Sequence, residues 1–166
     1  MPASPEDLFD YLDTLGLSHE TVQHAPTFTV EEGRHLKAGM PGGHSKNLFM
    51  KDKDGHLVLI SAWSESELKL NQLHRRIGTR RLSFASADLM QEALGVVPGS
   101  VTAFALINDT SQRVRFVLDQ ALMAFDTVYF HPLVNTATTA ISPGDLLRFC
   151  DATEHEVTQI DFTALG

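Results

Sequence analysis

The stretch from Gly39 to Met50 restricts the fold of this chain more than any other. Gly39, Pro41, Gly42 and Gly43 place three glycines and one proline in five residues, a density that neither a helix interior nor a central strand tolerates. The chain then passes through His44, Ser45 and Lys46 into the apolar run Asn47 to Met50. This order predicts a turn-rich loop that feeds a strand, with Lys46 at the junction. Glycine lets the backbone approach a ligand closely, and a cation at such a junction can meet a ligand while the strand behind it stays fixed. Local sequence alone still favours a solvated surface lysine.

The remaining segments predict an alternation of short elements. Ser4-Pro5-Glu6-Asp7 is a helix start, Leu8, Leu12 and Leu15 keep helical spacing, and Gly16 is the stop. His19 to His24 reads as a strand, Thr27 to Val30 as a short extended piece and Glu31 to Lys37 as a helix. Asn47 to Met50 and His56 to Ser61 flank Asp54-Gly55, a hairpin signal. Ser64 or Ser66 is the expected cap of a helix ending at Gly78, and Ser86 the cap of another ending at Gly95. Arg81 to Phe84 predicts a short strand. Val101 to Ile107, with apolar residues on both faces, reads as a central strand. Val114 to Leu118, Thr127 to His131 and Ala137 to Ile141 follow as strands, with Ala121 to Ala124 as a helical turn. Ser142-Pro143 starts a last helix, and Val157 to Phe162 closes the chain as an edge strand. With about nine strands and about five helices in no regular βαβ repeat, the expected class is α+β. A single compact domain spanning 1–166 is expected.

Composition removes several functions. A net charge of −8 opposes sequence-blind nucleic-acid binding, which needs a positive field. That charge and the lack of a helix-turn-helix signature argue against DNA as a partner. The densest basic region is Lys69 to Arg81, with Lys69, His74, Arg75, Arg76, Arg80 and Arg81. No apolar run approaches the ~20 residues of a membrane helix, and the acidic N-terminus does not resemble a signal peptide. A cytoplasmic location is the simplest expectation. The lone Cys150 cannot form an intramolecular disulfide and, late in an apolar helix, reads as core. The eight histidines lack metal-ligand spacing and no His-Glu-x-x-His occurs, so no metal or other cofactor is expected. Neither a Gly-x-Ser-x-Gly elbow nor a phosphate-binding Walker loop is present.

A second informative stretch runs from Phe130 to Ile141. His131 ends an apolar strand and is held extended by Pro132. Asn135, Thr136, Thr138 and Thr139 then crowd amide and hydroxyl groups into a short span, as in a pocket wall. Taken with Lys46-Asn47, Arg81 to Ala85, Leu106 to Asp109 and His24 to Glu32, this stretch resembles the YbaK-like family of trans-editing domains. The resemblance runs the length of the chain and is strongest to the branch of free-standing alanyl-tRNA(Pro) deacylases called ProXp-ala.

The resemblance implies a mixed, partly barrel-like β-sheet with surrounding helices and a pocket for a small aminoacyl group. It implies hydrolysis of the ester that joins mischarged alanine to the end of tRNA(Pro). The implied catalytic residues are Lys46, Gly99 and His131. Asn47, Phe130 and Asn135 are implied at the substrate, with Ser100, Val101, Thr102 and Ala103 of a Gly-x-x-x-Pro loop that here ends in alanine. Lys69, Arg75, Arg76 and Arg80 are the expected tRNA contacts. The acceptor end of tRNA(Pro) is the implied partner, with prolyl-tRNA synthetase or an elongation factor as further partners. In this reading Lys46 and His131 converge on one cavity sized for a methyl side chain. Two rivals stay open: a non-catalytic amino-acid or tRNA binder of the same fold, and a deacylase for cysteine, serine or threonine, which Ala103 leaves possible.

Overall fold

The structure, a computed structural model, describes residues 1–26 and 30–165, without the side chain of Val30. In chain order the regular elements are α1 (Pro5–Thr14), β1 (Glu20–Gln23), α2 (Val30–Ala38), β2 (Gly43–Lys51), β3 (Leu57–Trp63), α3 (Leu70–Ile77) and β4 (Ser83–Phe84). Then come α4 (Ala87–Leu94), β5 (Val114–Asp119), β6 (Val128–Phe130), β7 (Ala137–Ile141), α5 (Pro143–Ala152) and β8 (Val157–Ile160), with 3-10 turns at Ala103–Asn108, Gln120–Ala124 and Phe162–Ala164.

The strands form one 8-stranded sheet in the order β1-β7-β6-β2-β3-β5-β8, with β4 paired to β2 off this path. Strand β2 runs antiparallel to β3 from Ser45↔Trp63 to Lys51↔Leu57 and parallel to β6 at Gly43↔Val128 and His44↔Tyr129. Strands β5 and β8 continue parallel beyond β3, so the sheet is mixed, and with its helices the chain is α+β.

Side chains alternate across this sheet and build two cores. Leu57 and Leu59 of β3 and Phe49 of β2 join Leu8, Leu12, Leu94, Phe104 and Phe149 under α1, α4 and α5. Val58 and Ile60, with Met50 and Leu48, face the other way onto Leu73 and Ile77 of α3. Strand β3 is therefore apolar on both faces, the mark of a strand covered on both sides.

Local signals account for most boundaries. Ser4 forms a reciprocal capping box with Asp7, and the Ser86 and Ser142 side chains accept from Leu89 and Asp145 amides at the starts of α4 and α5. Gly78 and Gly95 end α3 and α4 in the left-handed conformation. The β2–β3 hairpin is clasped by buried Asp52, which accepts from the amides of Asp54, His56 and Arg80 and from the His56 ring. Burial alone would raise the Asp52 carboxyl, but the hydrogen bonds from His56 and from the Arg80 and His56 amides outweigh it and hold it well below its ordinary range.

Four expectations are corrected. Strand β2 begins at Gly43, so Lys46 lies inside the strand and not at its entrance. The cap of α3 is Lys69 without a side-chain bond, because the Ser66 hydroxyl is used elsewhere. The run Val101 to Ile107 is a buried 3-10 turn capped by Thr102, since an apolar run bounded by turns does not distinguish strand from buried helix. The strand expected at Arg81 to Phe84 shrinks to Ser83–Phe84. Of the piece expected at Thr27 to Val30, residues 27–29 lie outside the described residues and Val30 opens α2.

At Gly42 the backbone has φ +142°, and an added Cβ would meet the Thr127 carbonyl oxygen at 2.7 Å and Tyr129 at 2.9 Å. Gly42→Ala should cost about 1–3 kcal/mol of stability. A lower urea midpoint at unchanged slope checks this.

Candidate active site

The pairing of β2 with β6 and of β6 with β7 brings three singled-out residues together. Phe130↔Thr139 is the last pair of β6 and β7, so His131 emerges opposite Thr138. On the other side of β6, Ser45 donates its hydroxyl hydrogen to the Tyr129 carbonyl at 2.6 Å. Between them lies a cavity of about 110 Å³ whose walls include Asn47, Ser45, Phe130, His131 and Thr138. Helix α2 and its exit close it with Gly33, Leu36, Lys37 and Met40. That exit is fastened twice, because Tyr129 Oη donates to the Pro41 carbonyl at 2.8 Å and His44 Nε2 to the Met40 carbonyl at 2.7 Å. The His44 ring also stacks on Tyr129 at 4.4 Å.

The polar atoms of the cavity are oriented by their partners. Ser61 donates to Asn47 Oδ1, and Asn47 Nδ2 donates to Ser45 Oγ at 3.0 Å. One N–H of the amide remains to be used. A carbonyl can only accept, so the 3.0 Å contact of His131 Nδ1 with the Ala137 oxygen places the proton on Nδ1 and leaves Nε2 an acceptor in the neutral ring. By the same logic His24 Nδ1 donates to its neighbour's carbonyl at 2.8 Å, so the Thr138 hydroxyl donates to His24 Nε2 at 2.7 Å. The cavity thus offers acceptors at His131 and Thr138 and a donor at Asn47.

Burial lowers the pKa of His131, and the neighbouring His24 lowers it further, against the opposing pull of the Ala137 carbonyl. Burial also lowers His44, aided by Lys37. The loop between β6 and β7 carries buried Leu133 at φ +71°, a strained conformation of the sort found at functional sites.

The other singled-out residues lie outside this cavity. Lys46 points from the opposite face of β2, where its Nζ donates to the Ser66 carbonyl; it does not line the hollow that holds His131. The Ser66 hydroxyl in turn donates to buried Asp119, which also accepts from the Trp63 amide at 3.1 Å and the Ala121 amide at 3.0 Å. In the Gly99 to Ala103 loop, Ser100, Thr102 and Ala103 are buried and Val101 is half-buried. Gly99 of this loop approaches Asn135, whose Nδ2 would lie 3.5 Å from a Cβ there, and neither residue lines the cavity. In the basic region, Arg80 pairs with Asp54 at 3.2 Å, Arg76 acts on Asp161, and Lys69 shares a hollow with Glu65 and Glu67. Asp52, Asp54 and His56 bring possible metal-ligand atoms within 4.8 Å of one another, but Asp52 is already saturated as the hairpin clasp.

Sequence reasoning missed His44, Tyr129, Ser61 and Asp119. His44 lies in the stretch singled out first, yet its role depends on stacking against a distant strand. Asp119 gave no local signal.

This is a small, half-open hollow with oriented donors and acceptors, of a size and polarity that suit a compact polar ligand. The chain belongs to the aminoacyl-tRNA editing domain family, which it matches over residues 24–149. It is 36% identical over 159 residues to prolyl-tRNA synthetase associated domain-containing protein 1 of Danio rerio, across 95% of this chain and 86% of the relative. It is 33% identical over 142 residues to prolyl-tRNA editing protein ProX of Acetoanaerobium sticklandii, across 85% of this chain and 87% of the relative. The solved structure of a candidate trans-editing enzyme for prolyl tRNA synthetase shares the fold, with TM-score 0.70 at 19% identity over 96% of this chain and 98% of that one. No described helix is long and apolar enough to cross a membrane.

Two predictions follow from the site's electrostatics and its strap. His131 and His44 should titrate below the ordinary value of about 6.5 in an NMR titration of the ring resonances. The folded chain then binds fewer protons than the unfolded one just below that value, so their contribution to stability is complete above about 6.5 and is lost as pH falls through the folded values. Asp119→Ala leaves the Trp63 amide unpaired and should cost about 1–3 kcal/mol in a denaturant melt.

Proposed function

We propose that this chain is a trans-editing deacylase that hydrolyses the ester of alanine mischarged onto tRNA(Pro). The observation that carries the reading is the cavity's chemistry. A hollow of about 110 Å³ is well below the ~300 Å³ at which drug-sized ligand sites begin. Its acceptors, His131 Nε2 and Thr138 Oγ1, suit the ammonium group of an aminoacyl ester, and the free Asn47 N–H suits the carbonyl oxygen.

In the reaction water attacks the carbonyl carbon, the C–O bond to the terminal ribose breaks, and the ribose hydroxyl leaves with a proton. The products are alanine and tRNA. An aminoacyl ester is already activated, so placing the water and stabilising the developing oxyanion suffice. Asn47 supplies the oxyanion donor, held in line by Ser61 and Ser45. His131 must be neutral to accept from the ammonium, and its lowered pKa supports that. Lys46, on the other face of β2, holds a phosphate or the ribose of the terminal nucleotide outside the cavity. Gly99 to Ala103 borders the substrate through Asn135. The basic face with Lys69, Arg75, Arg76 and Arg80 receives the acceptor stem.

Selection is by size. Overlap with the cavity wall rejects the proline ring, whereas discrimination by a missing methylene is worth only ~1–3 kcal/mol. The working place is the cytoplasm, with prolyl-tRNA synthetase or an elongation factor as further partners.

Incubation with alanyl-, cysteinyl-, seryl- and prolyl-tRNA(Pro) should release alanine and spare proline. Lys46→Ala and His131→Ala should each lower kcat/KM for alanyl-tRNA(Pro) by at least about 100-fold with the fold intact. Tight tRNA binding without turnover of any of the four would indicate the non-catalytic binder instead, and preferential release of cysteine or serine would change the substrate.

A further inference from the structure

Threonine hydroxyls are bonded across the β1–β7 pair on both of its faces. On one face Thr21 Oγ1 lies 2.7 Å from Thr139 Oγ1, and either atom can donate. On the other face Thr138 Oγ1 lies 2.7 Å from His24 Nε2. The register explains the second contact. Val22 stands opposite Thr138, and the bond from the His24 amide to the Thr136 carbonyl at 2.9 Å carries the pairing two residues further. His24 is therefore the diagonal neighbour of Thr138 on the same face, within reach of a long side chain.

This bond has a direction that the threonine pair lacks. His24 Nδ1 donates to the Ala25 carbonyl at 2.8 Å, so the neutral ring offers Nε2 only as an acceptor. The single hydrogen of the Thr138 hydroxyl goes to that nitrogen, and its lone pairs are left for the cavity. The same holds around the wall. Ser45 gives its hydroxyl hydrogen to the Tyr129 carbonyl, and Tyr129 gives its own to the Pro41 carbonyl. Every hydroxyl lining the cavity thus spends its hydrogen on the protein. Those of Ser45 and Tyr129 go to the backbone. That of Thr138 goes to a side chain that does not line the cavity and borders instead an outer cleft of about 570 Å³. His131 Nε2 is the second acceptor, and its ring centre lies 6.5 Å from that of His24. The cation of the wall, Lys37, acts on His44.

We propose that His24 is a positioning residue for substrate selection. By taking the Thr138 hydrogen it keeps Thr138 an acceptor, and the cavity thereby selects esters with a free, protonated α-amino group over hydroxy-acid esters of the same size. An ammonium has enough hydrogens for both Thr138 and His131. A hydroxyl has one, so one acceptor of the wall is left unpaired, and a site built to pair with a polar group rejects the analogue that cannot. Without His24 the Thr138 hydrogen is free to turn toward the ligand and oppose an ammonium. That the ligand is an aminoacyl ester rests on the deacylase reading above; the polarity of the wall does not.

The test uses two probes of equal size, L-alaninamide and L-lactamide, which differ in an ammonium against a hydroxyl. Their binding is read at neutral pH by NMR titration of the His131 ring resonances. The proteins are the wild type, His24→Phe, His24→Ala, Thr138→Val and the double variant His24→Phe with Thr138→Val. His24 is half-buried at the sheet edge, so both of its single variants should fold. The wild type should bind alaninamide about tenfold or more tightly than lactamide, the scale of one charge-assisted hydrogen bond. Each His24 variant should lose most of that preference, and Thr138→Val should lose it equally. The double variant should lose no more than either single one, because His24 acts only through Thr138. With alanyl-tRNA(Pro), His24→Phe should raise KM more than it lowers kcat. Failure of the wild type to favour alaninamide would overturn the proposal, as would an unchanged preference in both His24 variants or a further loss in the double variant. A preference for alaninamide in a protein that deacylates no tRNA would sink the enzymatic reading alone, since the titration reads the wall without turnover.

Discussion

The strict alternation of side chains along β2 is the constraint on which the rest of the site depends. Strand β2 is held by β3 on one side and β6 on the other, and Ser61 bonds Asn47 directly across the pair. A slip of one residue would exchange its two faces, sending Lys46 toward the cavity and Asn47 under α3. The register therefore fixes a division of labour. Ser45 and Asn47 form a polar wall of the hollow, and Lys46 faces the side covered by α3. A ligand that engages both must be long enough to pass round the end of the strand, with one small group inside and a larger part outside. An amino acid esterified to a polynucleotide has that form.

The acidic composition misleads unless the carboxylates are placed. Asp52, Asp109 and Asp119 are each no more than 3% exposed, and each accepts backbone amides. Asp52 clasps the β2–β3 hairpin. Asp109 accepts from the Arg113 and Val114 amides and from His155 at 2.8 Å, which ties the start of β5 to the turn before β8. Asp119 fixes the strap that carries Ser66 to Lys46. These acids act as internal connectors, paired as buried charges must be. They add to the net charge without adding to the surface around α3, where Arg75, Arg76 and Arg81 are exposed. A whole-chain charge thus argues well against indiscriminate binding and says little about one face.

Much of the fold was legible because its signals are local. A capping serine, a left-handed glycine and an Asp-Gly turn act within four residues, so α1, α4, α5 and the β2–β3 hairpin could be read directly. Val101 to Ile107 was illegible because a buried 3-10 turn and a buried strand look alike in hydropathy. Ser66 looked like a helix cap, but a distant carboxylate competed for its hydroxyl. The membership of the cavity was legible only in part. His131, Phe130 and Asn47 stood out from the resemblance, while the side of the sheet that each occupies followed from the pairing of β2, β6 and β7. That register is set between segments far apart in sequence, so no local signal announces it.

The alanine that replaces the terminal proline of the Gly-x-x-x-Pro loop can now be placed physically. Ala103 is fully buried at the first position of a 3-10 turn, so its methyl group belongs to the core and does not wall the cavity. Proline there would fix φ near −65° and remove a backbone donor, which is an effect on the loop's stiffness and not on the pocket's volume. Gly99 of the loop approaches Asn135, which stands two residues beyond the strained Leu133. Leu133 is held at positive φ by its buried side chain, so the segment after His131 is braced from within even where the neighbouring loop is less stiff. The hollow is lined by α2 and its exit, β2, β6, His131 and Thr138 of β7, and Ala103 is not among its walls.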